Sequence, residues 1–471
     1  MQKNQWKVLS IVASLALILA IVGEALFPRG SIARAALAEP AFKAHTIQAT
    51  PILHTLNTLQ NVLPAHSRSG PKTVLYKCQR EKDPQPVHCY GPYQIRQAYG
   101  VNDLLAQHFT GQGTSIAIID AYGSPTIQKD LQAFDNAWGL PEAKLKIIAP
   151  YGQPKADSDW VPETSLDVEW AHAMAPDATL NLLVAKSSND VDLYNVTRYA
   201  VEHNLGDVLS LSFGENEKCA DPALRNAEHI LFSQATSKGM TILAAAGDSG
   251  SAQLTCDGSS FEEAISFPAA DPFVTAVGGT DLQADSISGQ YISETAWNES
   301  SVFNKATGGG YSRLYAQPAY QRGATGTASG RGIPDISLNA SVNGGVVAFD
   351  SDLATGHITI SIMGGTSVAT PELAGIIADG IQMAHHRLGA INPALYKLGT
   401  SKDYAHLMND ITSGNNVLAA SSIAGYPAAI GWDPVTGWGT PQEVLPFLKV
   451  LIAGQVTGIQ STSTKHPGQR P

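Results

Sequence analysis

Short apolar runs, each about as long as a strand, recur through the middle of the chain. They are Thr114 to Asp120, Leu145 to Ala149, Ala178 to Val184, Val208 to Ser212, Thr241 to Ala246 and Phe273 to Val277. Apolar runs without polar alternation are the pattern of strands buried on both faces, as in parallel sheets. Between several of them lie segments of helical length, notably Val191 to Glu202 and Pro222 to Ser237. This alternation predicts an α/β fold, a parallel sheet with helices on both faces. Functional residues in such folds gather at the carboxyl ends of the strands. From about Gly279 the chain reads as loops, until Gly364-Gly365 turn into a long apolar helix with Ser367 in its first turn.

The N-terminus has a different pattern. Lys3 and Lys7 precede an apolar run from Val8 to Gly23, and Ala36-Leu37-Ala38 offers a small-x-small cleavage site. That predicts a secretory signal, with an uncleaved anchor as the alternative. The expected segmentation is 1–38 signal or anchor, 39–89 linker or reduced prosegment, 90–454 main folded domain and 455–471 polar tail. Four cysteines suit an exported protein. Proximity pairs Cys78 with Cys89 and Cys219 with Cys256, one of three possible pairings. A net charge of −11 with no basic run speaks against nucleic-acid binding.

Three places carry chemistry. Pro162 and Pro176 bracket a helix on which Glu163 and Asp167, four apart, share a face with Trp170 and Met174. Buried, two such carboxyls share a proton; solvated, they are an ordinary acidic helix face. Asp248, in Gly247-Asp248-Ser249-Gly250, sits at the tip of a strand-ending turn, where an Asx-turn is the plain reading. Ser210-Leu211-Ser212-Phe213-Gly214 ends another strand, whose backbone suits pairing with an extended peptide. Ser367 itself reads equally as a nucleophile or as a helix cap.

Taken together, Glu163-x-x-x-Asp167-Val-Glu-Trp, Ser210-x-Ser212-x-Gly214, Gly247-Asp248-Ser249-Gly250, Phe267-Pro-Ala, Val277-Gly-Gly-Thr, Gly308-Gly-Gly, Pro334-Asp335-Ile336 and Gly365-Thr-Ser367-x-x-x-Pro371 resemble the sedolisin (serine-carboxyl peptidase) family. The motifs stand in family order and cover roughly residues 90 to 450. The resemblance implies a subtilisin-like fold, endopeptidase or tripeptidyl-peptidase activity on peptides or unfolded proteins, an acidic working range and a bound calcium ion; the N-terminal signal predicts secretion, and a monomer is expected. Contact with a membrane is expected only if the N-terminal segment stays uncleaved. By position, Ser367 is the nucleophile, Glu163 its general base, Asp167 the group that orients Glu163, and Asp248 the oxyanion-hole donor. Ser210, Ser212 and Gly214 become the substrate strand. The carboxylates of Asp410 and Asp433 with the carbonyls of Ile411, Ala429 and Gly431 become a C-terminal calcium loop.

These roles suit the residue types. In acid, a histidine is protonated and useless as a base, whereas a carboxylate stays partly ionised. An aspartate donates to an oxyanion only while protonated, so Asp248 requires acid or a raised pKa. A subtilisin-type triad is disfavoured: it needs a histidine, usually followed by glycine, and none of the thirteen histidines here precedes one. His172 is expected on the helix surface, off the acidic face. The chain departs from the family at Asp120, where several members carry Glu, at Phe213 for a Trp, and at Ala429 for a Gly. The stretch before Tyr90 is also short for a folded prodomain, which keeps open a second reading, an inactive peptide-binding protein on the same fold.

Overall fold

The computed structural model describes residues 50–51, 54–58, 76–80 and 88–459. The signal or anchor, most of the 39–89 stretch and the tail beyond 459 lie outside them. No helix among the described residues is long and apolar enough to cross a membrane.

The six apolar runs are all strands of one sheet. In space its order is Tyr291–Ala296, Thr275–Ala284, Thr241–Ala245, Val208–Leu211, Ser115–Ala121, Thr179–Ala185 and Lys144–Ile148, with Ile336–Asn339 also on Thr275–Ala284. All neighbours are parallel except the edge pair of Thr275–Ala284 with Tyr291–Ala296. Four helices frame it. Trp160–Met174 and Thr366–Ala384 pack on each other and on the sheet, while Asp190–Glu202 and Pro222–Ser237 form a second packed pair.

The first pair approaches closely because Gly375 has no side chain. A Cβ there would stand 2.4 Å from the Met174 Cβ, well inside contact distance. Below the sheet's edge, the Asp335 carboxylate receives the guanidinium of Arg331 (2.6 and 2.8 Å), the Ala276 N–H (2.8 Å) and the Tyr396 hydroxyl (2.9 Å), all fully buried.

The region after Gly279 is richer than its loop-like pattern. It contains the strand pair Gly345–Ser351 with Ile358–Gly364, and the pair Gly310–Ala316 with Gly330–Ile333. The first pair does carry strand signals, the apolar run Val346 to Phe349 and the alternation Ile358-Thr359-Ile360-Ser361-Ile362, which the loop expectation overlooked; the second pair is interrupted by glycine and polar residues. His172 differs from expectation more sharply. It is fully buried, with Nε2 2.9 Å from the Pro141 carbonyl and 3.2 Å from Asp135. A helix enclosed on all sides has no surface face for it to occupy. The cysteines bond as Cys78–Cys89 and Cys219–Cys256.

Candidate active site

The site is assembled at the carboxyl ends of three strands and the start of the serine helix. Asp120 sits near the end of Ser115–Ala121, Ser212 just past Val208–Leu211, and Asp248 just past Thr241–Ala245. Glu163 and Asp167 come from the acidic helix, and Ser367 is the second residue of Thr366–Ala384. Asp120, Glu163, Asp167, Ser212 and Ser367 are fully buried, and Asp248 is almost so. The solvated-helix reading of Glu163 and Asp167 is thereby ruled out.

Ser367 does not cap its own helix. That position is Gly365, whose φ of 126° is open to glycine. The Ser367 hydroxyl instead donates to the Ser212 carbonyl at 3.3 Å, and the Ser212 hydroxyl donates to Asp167 Oδ1 at 2.8 Å. The Ser367 hydroxyl also lies close enough to Glu163 to pull its pKa down. Yet neither Glu163 oxygen has a partner at full hydrogen-bonding geometry. The geometry places the serine beside the carboxyl but aimed at Ser212.

Asp248 reaches across to the serine helix rather than forming an Asx-turn. Its Oδ1 accepts from the Thr366 N–H (2.9 Å) and hydroxyl (3.0 Å), while Oδ2 is buried without a partner. Thr366, unremarked in the sequence although adjacent to Ser367, is therefore what orients Asp248.

Burial dominates the electrostatics. It pushes Glu163 and Asp167 well above the ordinary carboxyl range, and mutual repulsion with Asp120 adds to this. Asp120 is pushed up to about 7 by burial, and Asp248 is raised by burial against the opposing pull of Lys305 and Thr366. Removing water disfavours the ionised form of each.

Ser210 and Gly214 flank this centre. Ser210 lies in the sheet between Ile118 and Leu243, and its hydroxyl is buried without a partner. Gly214 belongs to the strand Phe213–Asn216, against which Thr50–Pro51 pairs antiparallel, Thr50 opposite Gly214 and Pro51 opposite Phe213. A few residues on, His54–Thr58 pairs with Ile358–Gly364, His54 opposite Gly364. Two described pieces of the 39–89 stretch thus pair with strands that lie next in sequence to Ser212 and to Ser367. Phe213 leans on Trp160, which meets Tyr122 edge-on.

At the C-terminal loop, Asp410 accepts from the Tyr404 hydroxyl (2.9 Å) and the Gly431 N–H (3.0 Å). Asp433 accepts from the N–H groups of Ala429 (2.9 Å), Val435 and Thr436 (both 2.8 Å). Two carboxylates thus converge on one turn, with Ile411 next to Asp410. No group of three or more His, Cys, Asp or Glu side chains suited to a metal occurs among the described residues. An ion here would draw its remaining ligands from backbone carbonyls, an all-oxygen set that fits Ca²⁺.

A serine at a helix start, a parallel sheet and buried carboxyls in place of an imidazole define a class. The chain belongs to the subtilase family, whose domain (Peptidase S8) matches residues 152–410. Within it, the chain is of the sedolisin, or serine-carboxyl peptidase, type. It is 34% identical over 370 residues to kumamolisin of Bacillus sp. (strain MN-32), covering 75% of this chain and 62% of that protein. To sedolisin of Pseudomonas sp. (strain 101) it is 32% identical, covering 70% and 57%. To tripeptidyl-peptidase 1 of Rattus norvegicus it is 27% identical, covering 77% and 64%. The chain therefore spans less than two thirds of these relatives' length. The structure of Pseudomonas sedolisin complexed with two molecules of pseudo-iodotyrostatin superposes with a TM-score of 0.65 at 29% identity, covering 80% of this chain and all of that one. The subtilisin-like fold follows.

The pKa directions have a stability consequence. A carboxyl raised on folding costs nothing below its unfolded pKa, about 4, and destabilises increasingly as pH climbs toward its folded value. For Asp120 that window runs up to about 7. The melting temperature is expected to be highest near pH 4 and to fall through pH 7, more shallowly in Glu163→Gln. A melting temperature that rises over this range would show that these carboxyls are not buried as described.

Proposed function

We propose that this chain is an acid-acting serine peptidase that hydrolyses peptide bonds through an acyl-enzyme on Ser367. The observation that carries the reading is the juxtaposition of the Ser367 hydroxyl with the buried Glu163 carboxyl, inside a trio completed by Asp120 and Asp167. The trio loses its protons one at a time, because each charge opposes the next. The first loss leaves a single negative charge shared over the trio, each member having one hydroxyl that favours it: Thr164 for Asp120, Ser367 for Glu163 and Ser212 for Asp167.

A small rotation turns the Ser367 hydroxyl from the Ser212 carbonyl to Glu163. Its oxygen then attacks the scissile carbonyl carbon while Glu163 takes the proton. The carbonyl oxygen, now negative, receives a hydrogen bond from protonated Asp248 through Oδ2, the atom left free by Thr366. Collapse breaks the C–N bond as Glu163 returns its proton to the leaving amine. Water, deprotonated by Glu163, then releases the acid product and Ser367. Ser212 and Gly214 would hold the substrate by strand addition; Ser210, paired with strands on both sides, has no free edge and lies behind them in the sheet.

Asp410, Asp433 and the carbonyls of Ile411, Ala429 and Gly431 are read as a calcium loop; the ion would brace the C-terminal turn. Two disulfides favour an oxidising, exported setting. Nothing at the site favours the inactive-binder reading, since Glu163, Asp167, Asp248 and Ser367 are all present.

Digestion of an unfolded protein between about pH 3 and 7, from ordinary carboxyl pKa values up to the raised value of Asp120, is expected to proceed with the wild type. With Ser367→Ala it is expected to fall by at least about 1000-fold. Equal cleavage by both, or none by the wild type, contradicts a peptidase acting through Ser367. EDTA is expected to lower the melting temperature by several degrees, restored by added Ca²⁺; an unchanged melting temperature removes the calcium loop.

A further inference from the structure

The turn that carries Asp248 is gripped by a second loop. Ala306, fully buried, donates its N–H to the Asp248 carbonyl (3.0 Å) and accepts from the Gly250 N–H (3.0 Å), so that it lies beside Ser249 as a short parallel bridge. Two residues on, the Gly308 N–H donates to the Gly247 carbonyl at 2.6 Å. No side chain fits at Gly308, where a Cβ would collide with the Ala246 carbonyl oxygen. Between them, the Thr307 hydroxyl accepts the Gly279 N–H at 2.8 Å. The loop is thus pinned on both sides of Asp248, and it cannot drift without breaking the backbone pairing of the turn.

Lys305 stands just before this grip. Its carbonyl accepts from the Glu299 N–H at 3.0 Å, and Asn304, with φ 55°, turns the chain into it. The residue is half-buried, and its ammonium acts on the Asp248 carboxyl. Burial raises Asp248; of the influences that oppose burial, Lys305 comes first, ahead of the two Thr366 bonds.

The other elements around Asp248 bring different groups. From the acidic helix, Glu163 faces it as a like charge. From the serine helix come the Thr366 N–H and hydroxyl. Beside Gly247 stand Gln253 and Ser266, both uncharged. The acids further along the serine helix look elsewhere, Glu372 to Glu294 and Tyr99, and Asp379 to Arg96 and Asp177. Lys305 therefore supplies positive charge to a centre whose other titratable members are carboxyls.

A cation beside a carboxyl favours its ionised form. For a donor that works only while protonated, this shortens the working range at its upper end. We propose that Lys305 sets the upper pH limit of the peptidase: the loop gripping residues 247–250 holds its ammonium beside Asp248, where it competes with the proton that makes Asp248 a donor. The inference rests on the peptidase reading above, with Asp248 in the oxyanion hole. Lys305 acts through Asp248 and not on the substrate, so it is a positioning residue.

The test is the pH dependence of kcat/KM on one quenched peptide for the wild type, Lys305→Met and Lys305→Arg, with Lys305→Met repeated in the Asp248→Asn background. Removing the cation is expected to move the alkaline limb up by about half a pH unit or more, short of the roughly 1 to 3 units of a close pair because Lys305 is half-exposed. Arginine keeps the charge, so its limb should stay with that of the wild type. In the Asp248→Asn background the limb should not respond to Lys305→Met, since the amide has no such proton to lose. A limb that stays in place in Lys305→Met overturns the role of Lys305 and leaves the peptidase reading standing. So does a limb that moves as far in Lys305→Arg, or as far when Asp248 is already replaced. No cleavage by the wild type at any pH overturns the peptidase reading with it.

Discussion

Taking carboxyl groups out of water without giving them a cation is the constraint that organises this protein. Ionising a buried acid is unfavourable in proportion to its desolvation, and here Asp120, Glu163 and Asp167 are desolvated together with Asp248 nearby. Each charge makes the next harder to form. The centre therefore holds protons at a pH where isolated carboxyls have lost them. That property suits both halves of the acyl transfer proposed for it. A trio with one proton missing is a base, and a carboxyl that keeps its proton is a donor.

The fold keeps water out by close packing. The acidic helix is enclosed along its length by the serine helix, the sheet and the helix Ile127–Trp138. Gly375 lets the acidic and serine helices nearly touch, and the positive φ of Gly365 starts the serine helix beside the Asp248 turn. Asp248 is fixed by the Thr366 N–H and hydroxyl, so it is tied to the residue next to Ser367. A shift of the serine helix would move both, which preserves their spacing better than separate supports would.

The sheet and its helices were legible because buried parallel strands leave unbroken apolar runs, as at Ile116 to Ile119. Glu163, Asp167, Asp248 and Ser367 were legible as types in a pattern. Their convergence is a tertiary fact that no local period encodes. His172 was misplaced because helical-face reasoning assumes a solvent side, and this helix has none. Of the strands after Gly279, Gly310–Ala316 and Gly330–Ile333 are broken by glycine and polar residues, while Val346 to Phe349 and the alternation from Ile358 to Ile362 were legible but short and set among glycine-rich loops.

The most direct measurement of proton-holding as the basis of the chemistry is the pH dependence of kcat/KM in wild type and Asp248→Asn. An amide donates a hydrogen bond at any pH, whereas Asp248 donates only while protonated. The wild type should lose activity as pH rises past the ionisation of Asp248, and the asparagine variant should retain a larger fraction of its own maximum toward neutral pH. An alkaline limb that stays in place or moves to lower pH would contradict a protonated carboxyl in the oxyanion hole.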